Sequence, residues 1–157
     1  MPENNDRQVC WLKRNAWRFV IAIECAGAGA AVSTAIATML LESRAMNWAE
    51  LAFFAAIGVA GGFPAGFVLS GGFGRSGQDG WILATATAFF CPILAGALIG
   101  TLIFPGIGTV VGGAISFRTY TFPLSFAVWL ACLVLIQLHA RQVRPPRITD
   151  PTKRQAP

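Results

Sequence analysis

Hydrophobic and polar positions alternate in blocks along this 157-residue chain, and the blocks are long. An apolar run extends from Ala16 to Leu41, broken only by Arg18 and Glu24. The polar link from Glu42 to Trp48 follows, and a second run continues to Ser70. The glycine-rich stretch Gly71–Gly80 separates it from a third run, Trp81–Phe104, and a fourth spans Phe122–Leu138. A bilayer core needs about 20 apolar residues in helical form, because backbone groups inside hydrocarbon must bond to one another. The pattern therefore predicts an all-α integral membrane protein, a bundle of four transmembrane helices at about 17–41, 48–70, 81–104 and 122–138. The remaining apolar segment, Pro105–Phe117, is too short to cross alone and is expected to form a re-entrant or surface-lying half helix at 105–117.

Within these runs the small residues are regularly spaced. In GVAGGFPAGFVLSGGFG, Gly58, Gly62, Gly66, Ser70 and Gly74 recur at four-residue steps, so on a helix they form one ridge of missing side chains. In water each glycine would cost a helix about 1 kcal/mol relative to alanine. In a bilayer the same ridge lets two helices approach to van der Waals contact. A four-residue step drifts around a 3.6-residue helix, so an oblique crossing is expected. Similar ridges occur at Pro92, Gly96 and Gly100 in the third run and at Gly108, Gly112 and Ser116 in the short segment. Pro64 and Pro92 each remove one helical N–H, so both helices are expected to kink there.

Composition strengthens the membrane reading: 55% of residues are hydrophobic and 12% charged, against about 25% charged in soluble proteins, with mean hydropathy +0.59. The net charge of +5 does not mark a nucleic-acid binder, because the basic residues lie at the chain ends. Residues 1–18 carry Arg7, Lys13, Arg14 and Arg18; the proline-rich tail 140–157, expected to be disordered, carries Arg141, Arg144, Arg147, Lys153 and Arg154. With four spans these ends and Arg75 share one side, facing only Arg44 and Arg118 across the membrane. Positive-inside bias then places both termini in the cytoplasm, in a cytoplasmic (inner) membrane. Trp11 and Trp17 are expected at headgroup level. Ala26-Gly27-Ala28 resembles a signal-cleavage site, but Glu24 falls inside the apolar segment and the run continues well beyond, so the first helix is expected to be retained. Cys10, Cys25, Cys91 and Cys132 have no C-x-x-C spacing and suit buried thiols better than a zinc site or disulfide framework.

Few residues here carry chemistry. Glu24 is the one acidic residue inside an apolar span, a costly position that marks a candidate ion- or proton-coupling group. Gly27, Ala28, Ala31, Thr34, Ala35 and Thr38 share its helix face, which predicts that this face is turned to the packed interior or to another subunit. The simpler reading is a structural carboxylate, with Arg18 the nearest basic residue in sequence. Gly72-Phe-Gly74-Arg-Ser-Gly77 spells G-x-G-x-x-G, yet the dinucleotide reading needs a preceding strand; a flexible hinge is expected instead. His139 is expected near a helix C-terminus, where positive charge is favourable. No G-x-S-x-G, H-E-x-x-H or P-loop pattern occurs, so neither an enzymatic function nor a cofactor is expected.

Four short helices with one acidic residue in the first are similar in layout to the small multidrug resistance exporters, and Glu24-Cys-Ala-Gly27 shares an E-x-x-G fragment with them. This chain is longer, more strongly biased in orientation, and lacks the aromatic signature of their later helices. The leading expectation is a non-enzymatic subunit or accessory factor. Its partners would be the lipid bilayer and other membrane subunits or its own copies, with no nucleic acid, and it would act through glycine-lined helix association. The alternative is a small oligomeric transporter or channel coupled through Glu24.

Overall fold

The computed structural model describes residues 3–40 and 46–144. The order is α1 (Glu3–Leu40), α2 (Trp48–Leu69), a 3₁₀ turn (Ser70–Gly72), α3 (Gly77–Ile103), α4 (Ile107–Ser116), α5 (Arg118–Thr121) and α6 (Pro123–Val143). All the described secondary structure is helical, and α1, α2, α3 and α6 each contain a stretch long and apolar enough to cross a membrane. Large apolar side chains such as Phe53, Val68, Ile82, Phe90 and Leu135 are exposed all round the bundle. That is costly in water and natural in hydrocarbon.

Several boundaries differ from the sequence reading. Helix α1 starts at Glu3, well before the apolar run, because nothing between residues 3 and 15 breaks a helix once the span has nucleated it. Helix α6 ends at Val143, so the first four residues of the expected tail are helical. The rest of that tail, residues 145–157, lies outside the described residues, as do the link at 41–45 with Arg44 and the side chains of Cys10 and Trp11. The start of α2 is set by a capping box. Asn47 accepts from the Glu50 N–H at 2.9 Å, and the Glu50 carboxylate accepts from the Asn47 N–H at 3.1 Å.

Helix α1 packs most extensively on α2, and α3 on α4. Both pairs run antiparallel, and both depend on missing side chains. A methyl group on Gly58 would overlap the Gly29 carbonyl, and one on Gly29 would overlap the Gly58 carbonyl. One turn along, a Cβ on Gly62 would stand 2.5 Å from the Cys25 carbonyl oxygen, and Gly66 lies against the Cys25 side chain. In the second pair Gly96 faces Gly112 and Ser116, and Gly100 faces Gly108. Gly106, at φ +87°, makes the reversal that doubles the ten-residue α4 back along α3. Gly61, on the other side of α2, meets the Ala95 carbonyl of α3 and joins the two pairs. Ser70 is buried in the 3₁₀ turn, donating to the Phe67 carbonyl at 2.8 Å. Gly74 leaves the helix altogether with φ +77° and abuts Ala140.

Helices α2 and α3 continue through Pro64 and Pro92. Proline at 92 leaves the Ala88 carbonyl without its helical N–H. That carbonyl instead accepts from the indole Nε1–H of Trp129 on α6 at 3.2 Å. Next to it, the Tyr120 hydroxyl donates to the Phe89 carbonyl and its ring stacks on Phe89, centroids 4.6 Å apart. The proline thus creates the acceptor that fixes α6 against α3, as neighbouring side chains do for broken helices in lipid. The core lies on this side of α1, where Ile21, Cys25 and Val32 meet Phe73, Ala84 and Ala88, and Trp129, Leu133 and Ile136.

Trp129→Phe should destabilise the bundle by about 1–3 kcal/mol, the cost of a buried acceptor left unpaired. Pro92→Ala restores the N–H to Ala88, so the same Trp129→Phe change in that background should cost at least about 0.5 kcal/mol less. Equal costs in both backgrounds, measured by denaturation in mixed micelles, would contradict the assigned role of the indole.

Candidate functional site

Glu24 lies on α1 one turn beyond Ile21, and the packing of α1 on α6 brings it to His139. The His139 Nδ1 and the Glu24 Oε1 are in hydrogen-bonding contact. The carboxylate is 22% exposed and the imidazole 51%. The second carboxylate oxygen, Oε2, is buried with no hydrogen-bond partner, the one such side-chain atom among the described residues. A carboxylate accepts through both oxygens, so Glu24 is half satisfied. The pair therefore joins a side-chain contact between two helices to a second acceptor turned into protein.

Sequence reasoning identified Glu24 but not its partner. His139 was expected near the end of its helix; with α6 reaching Val143, it sits one turn inside the last span. Arg18 does not pair with Glu24 but lies over the Trp17 ring, 5.6 Å from its centroid. The face that Glu24 was expected to share is divided. Ala35 is buried and Ala28 half-buried, whereas Gly27, Ala31 and Thr38 are exposed, and a Cβ on Gly27 would meet nothing within 4 Å. The named glycines all lie within the helix pairs, Gly58, Gly62 and Gly66 against α1 and Gly96 and Gly100 against Gly108 and Gly112. Their partner Gly29, at four-residue steps from Cys25 and Ser33, and the second-face Gly61 were not singled out, because spacing along one helix does not show which face meets a neighbour.

The G-x-G-x-x-G stretch is held rather than left as a hinge. Gln137, wholly buried on α6, accepts from the Gly74 N–H at 2.9 Å and donates to the Arg75 carbonyl at 3.0 Å. Arg144 donates to the Phe73 carbonyl at 2.5 Å, and Arg141 to the Arg75 carbonyl at 3.3 Å. Leaving the helix frees these loop carbonyls, and the polar end of α6 satisfies them. Arg141 also covers the Trp81 ring and Arg144 the Trp17 ring, each 5.1 Å from the centroid.

Cys25, Cys91 and Cys132, from α1, α3 and α6, line one cavity, and all three are free thiols. Among the described residues no group of three or more histidine, cysteine or acidic side chains is placed to hold a metal ion. Compared with protein-family models, with curated proteins and with solved structures, the chain matches none.

His139→Leu should cost more stability than His139→Leu added to Glu24→Leu, because the single change strands a carboxylate between helices. The two single costs should exceed the double-mutant cost by about 0.5–3 kcal/mol. Strict additivity in detergent unfolding would contradict the pairing.

Proposed function

We propose that this small multi-pass membrane protein is a non-enzymatic subunit or accessory factor, held in a cytoplasmic membrane with both termini inside and working through helix–helix association. The supporting observation is the open outer face of α1. Ile23, Gly27, Ala31 and Thr38 are exposed there, and Gly27 leaves a notch that no other described residue fills. Most of the other helical small-residue steps are filled within the chain, so this face takes over the role that Gly58, Gly62 and Gly66 were expected to play. Small residues four apart are the surface that a second transmembrane helix uses for close approach. The Thr34 hydroxyl beside the notch donates to the Ala30 carbonyl at 2.7 Å, so the face offers contact without an unsatisfied donor. The lipid bilayer and another membrane subunit, or a second copy, are the partners this reading requires.

Gentle extraction should recover the chain with a stoichiometric partner or as a defined oligomer. Gly27→Leu should release that partner while changing the stability of the isolated chain by no more than about 0.5 kcal/mol. A clean monomer from the parent protein would defeat the proposal.

The half-satisfied Glu24 favours a second reading, a small oligomeric transporter or channel in which Glu24 couples proton or ion movement. In proteoliposomes Glu24→Gln should then abolish flux while expression and oligomer size are unchanged; a parent protein that supports no flux would rule this reading out.

A further inference from the structure

Between the α1–α2 pair and the α3–α4 pair lies a cavity of 520 Å³. Its inner end is closed by the core: Phe73, Ala88, Leu133 and Ile136 are all buried, and the thiols of Cys25, Cys91 and Cys132 arrive there from three helices. Its outer end lies where α3 turns into α4, and the residues around it, Ile103, Phe104, Val111 and Ile115, are 48–70% exposed. The cavity therefore runs from an apolar mouth near one end of the bundle to a soft, polarizable floor midway along it.

The groups on its wall decide what can fill it. Ser33 donates to the Phe54 carbonyl at 2.7 Å, Ser116 to the Gly112 carbonyl at 3.0 Å, and the Trp129 indole to Ala88. The Ser33 and Ser116 hydroxyls and the indole are thus already directed at backbone, which leaves Thr119 as the one other lining hydroxyl, whereas a buried water needs about 2–4 polar partners. The volume falls within the roughly 300–1,000 Å³ of sites that enclose a small ligand. Outside the apolar mouth, at the depth of the spans, the material present is the hydrocarbon of the bilayer itself.

We propose that this cavity binds one acyl chain of a bilayer phospholipid, which enters past Phe104 and Val111 and ends against Cys25, Cys91 and Cys132. The headgroup stays at the membrane surface on the side of the α3–α4 turn. The two glycine-packed pairs form the walls, and the acyl chain fills the space left between them beyond the Gly61–Ala95 contact. The site is independent of the association face on α1, since Gly27 is not among its lining residues.

Native mass spectrometry of the full chain released from mild detergent tests this. One adduct of phospholipid mass per chain is expected, its occupancy falling about tenfold, the equivalent of 1.4 kcal/mol, in Ala95→Phe, which plugs the cavity. Ile82→Phe, on the exposed outer face of α3, should leave the adduct in place. No adduct in the parent protein, equal retention in Ala95→Phe, or an adduct with the mass of a free fatty acid or another lipophile would overturn the proposal. A second measurement does not depend on the plugged variant folding. With Trp11, Trp17, Trp48 and Trp81 replaced by Phe, Trp129 emission should be quenched at least twofold in vesicles of phosphatidylcholine brominated along one chain, compared with the unbrominated lipid. Unquenched emission would also overturn it.

Discussion

The structure depends on helix backbones touching where side chains are absent. In a bilayer no hydrophobic effect drives one apolar helix onto another, so association relies on close van der Waals contact. At Gly29 and Gly58, and again at Gly100 and Gly108, each glycine lies against the carbonyl of the other, leaving no room for a methyl group on either side. These contacts set the register of two antiparallel pairs. The reversal at Gly106 lets α4 return along α3 within one pair, and the bridge from Gly61 to Ala95 sets the two pairs against each other.

That arrangement leaves two problems, and polar groups resolve both. Pro92 frees a carbonyl in the middle of α3, and Trp129 of α6 answers it. The break between α2 and α3 frees several more, and Gln137, Arg141 and Arg144 at the end of α6 answer those. Helix α6 is therefore attached through hydrogen bonds to irregular backbone as much as through its apolar face, in contrast to the glycine-mediated pairs. The same helix brings His139 to Glu24, placing the titratable contact where the α1–α2 pair meets the last span.

The architecture was largely legible in the sequence, and the site only in part. Four spans follow from the length of the apolar runs, because hydrocarbon thickness fixes how many residues a crossing needs. The glycine spacing identified Gly58, Gly62 and Gly66 but not Gly29, since spacing describes one helix and a contact needs two. Glu24 stood out because a carboxylate in an apolar run is expensive. His139 did not, because its position in the span depends on where α6 ends, and the polar residues after Leu138 mimic a helix terminus. The hinge expected at Gly72–Gly77 failed for a similar reason: glycine content signals backbone freedom, whereas the constraint comes from side chains more than sixty residues away.

Backbone contact between the helices is what holds the bundle in this arrangement. Magic-angle-spinning NMR of the protein in lipid bilayers, with carbon-13 placed only in glycine, measures it directly. Through-space cross-peaks are expected between Gly29 and Gly58, which lie on different spans, and between Gly100 and Gly108, which a continuous helix would hold about 12 Å apart. Spectra showing cross-peaks only between neighbouring glycines, such as Gly61 and Gly62, would contradict that contact.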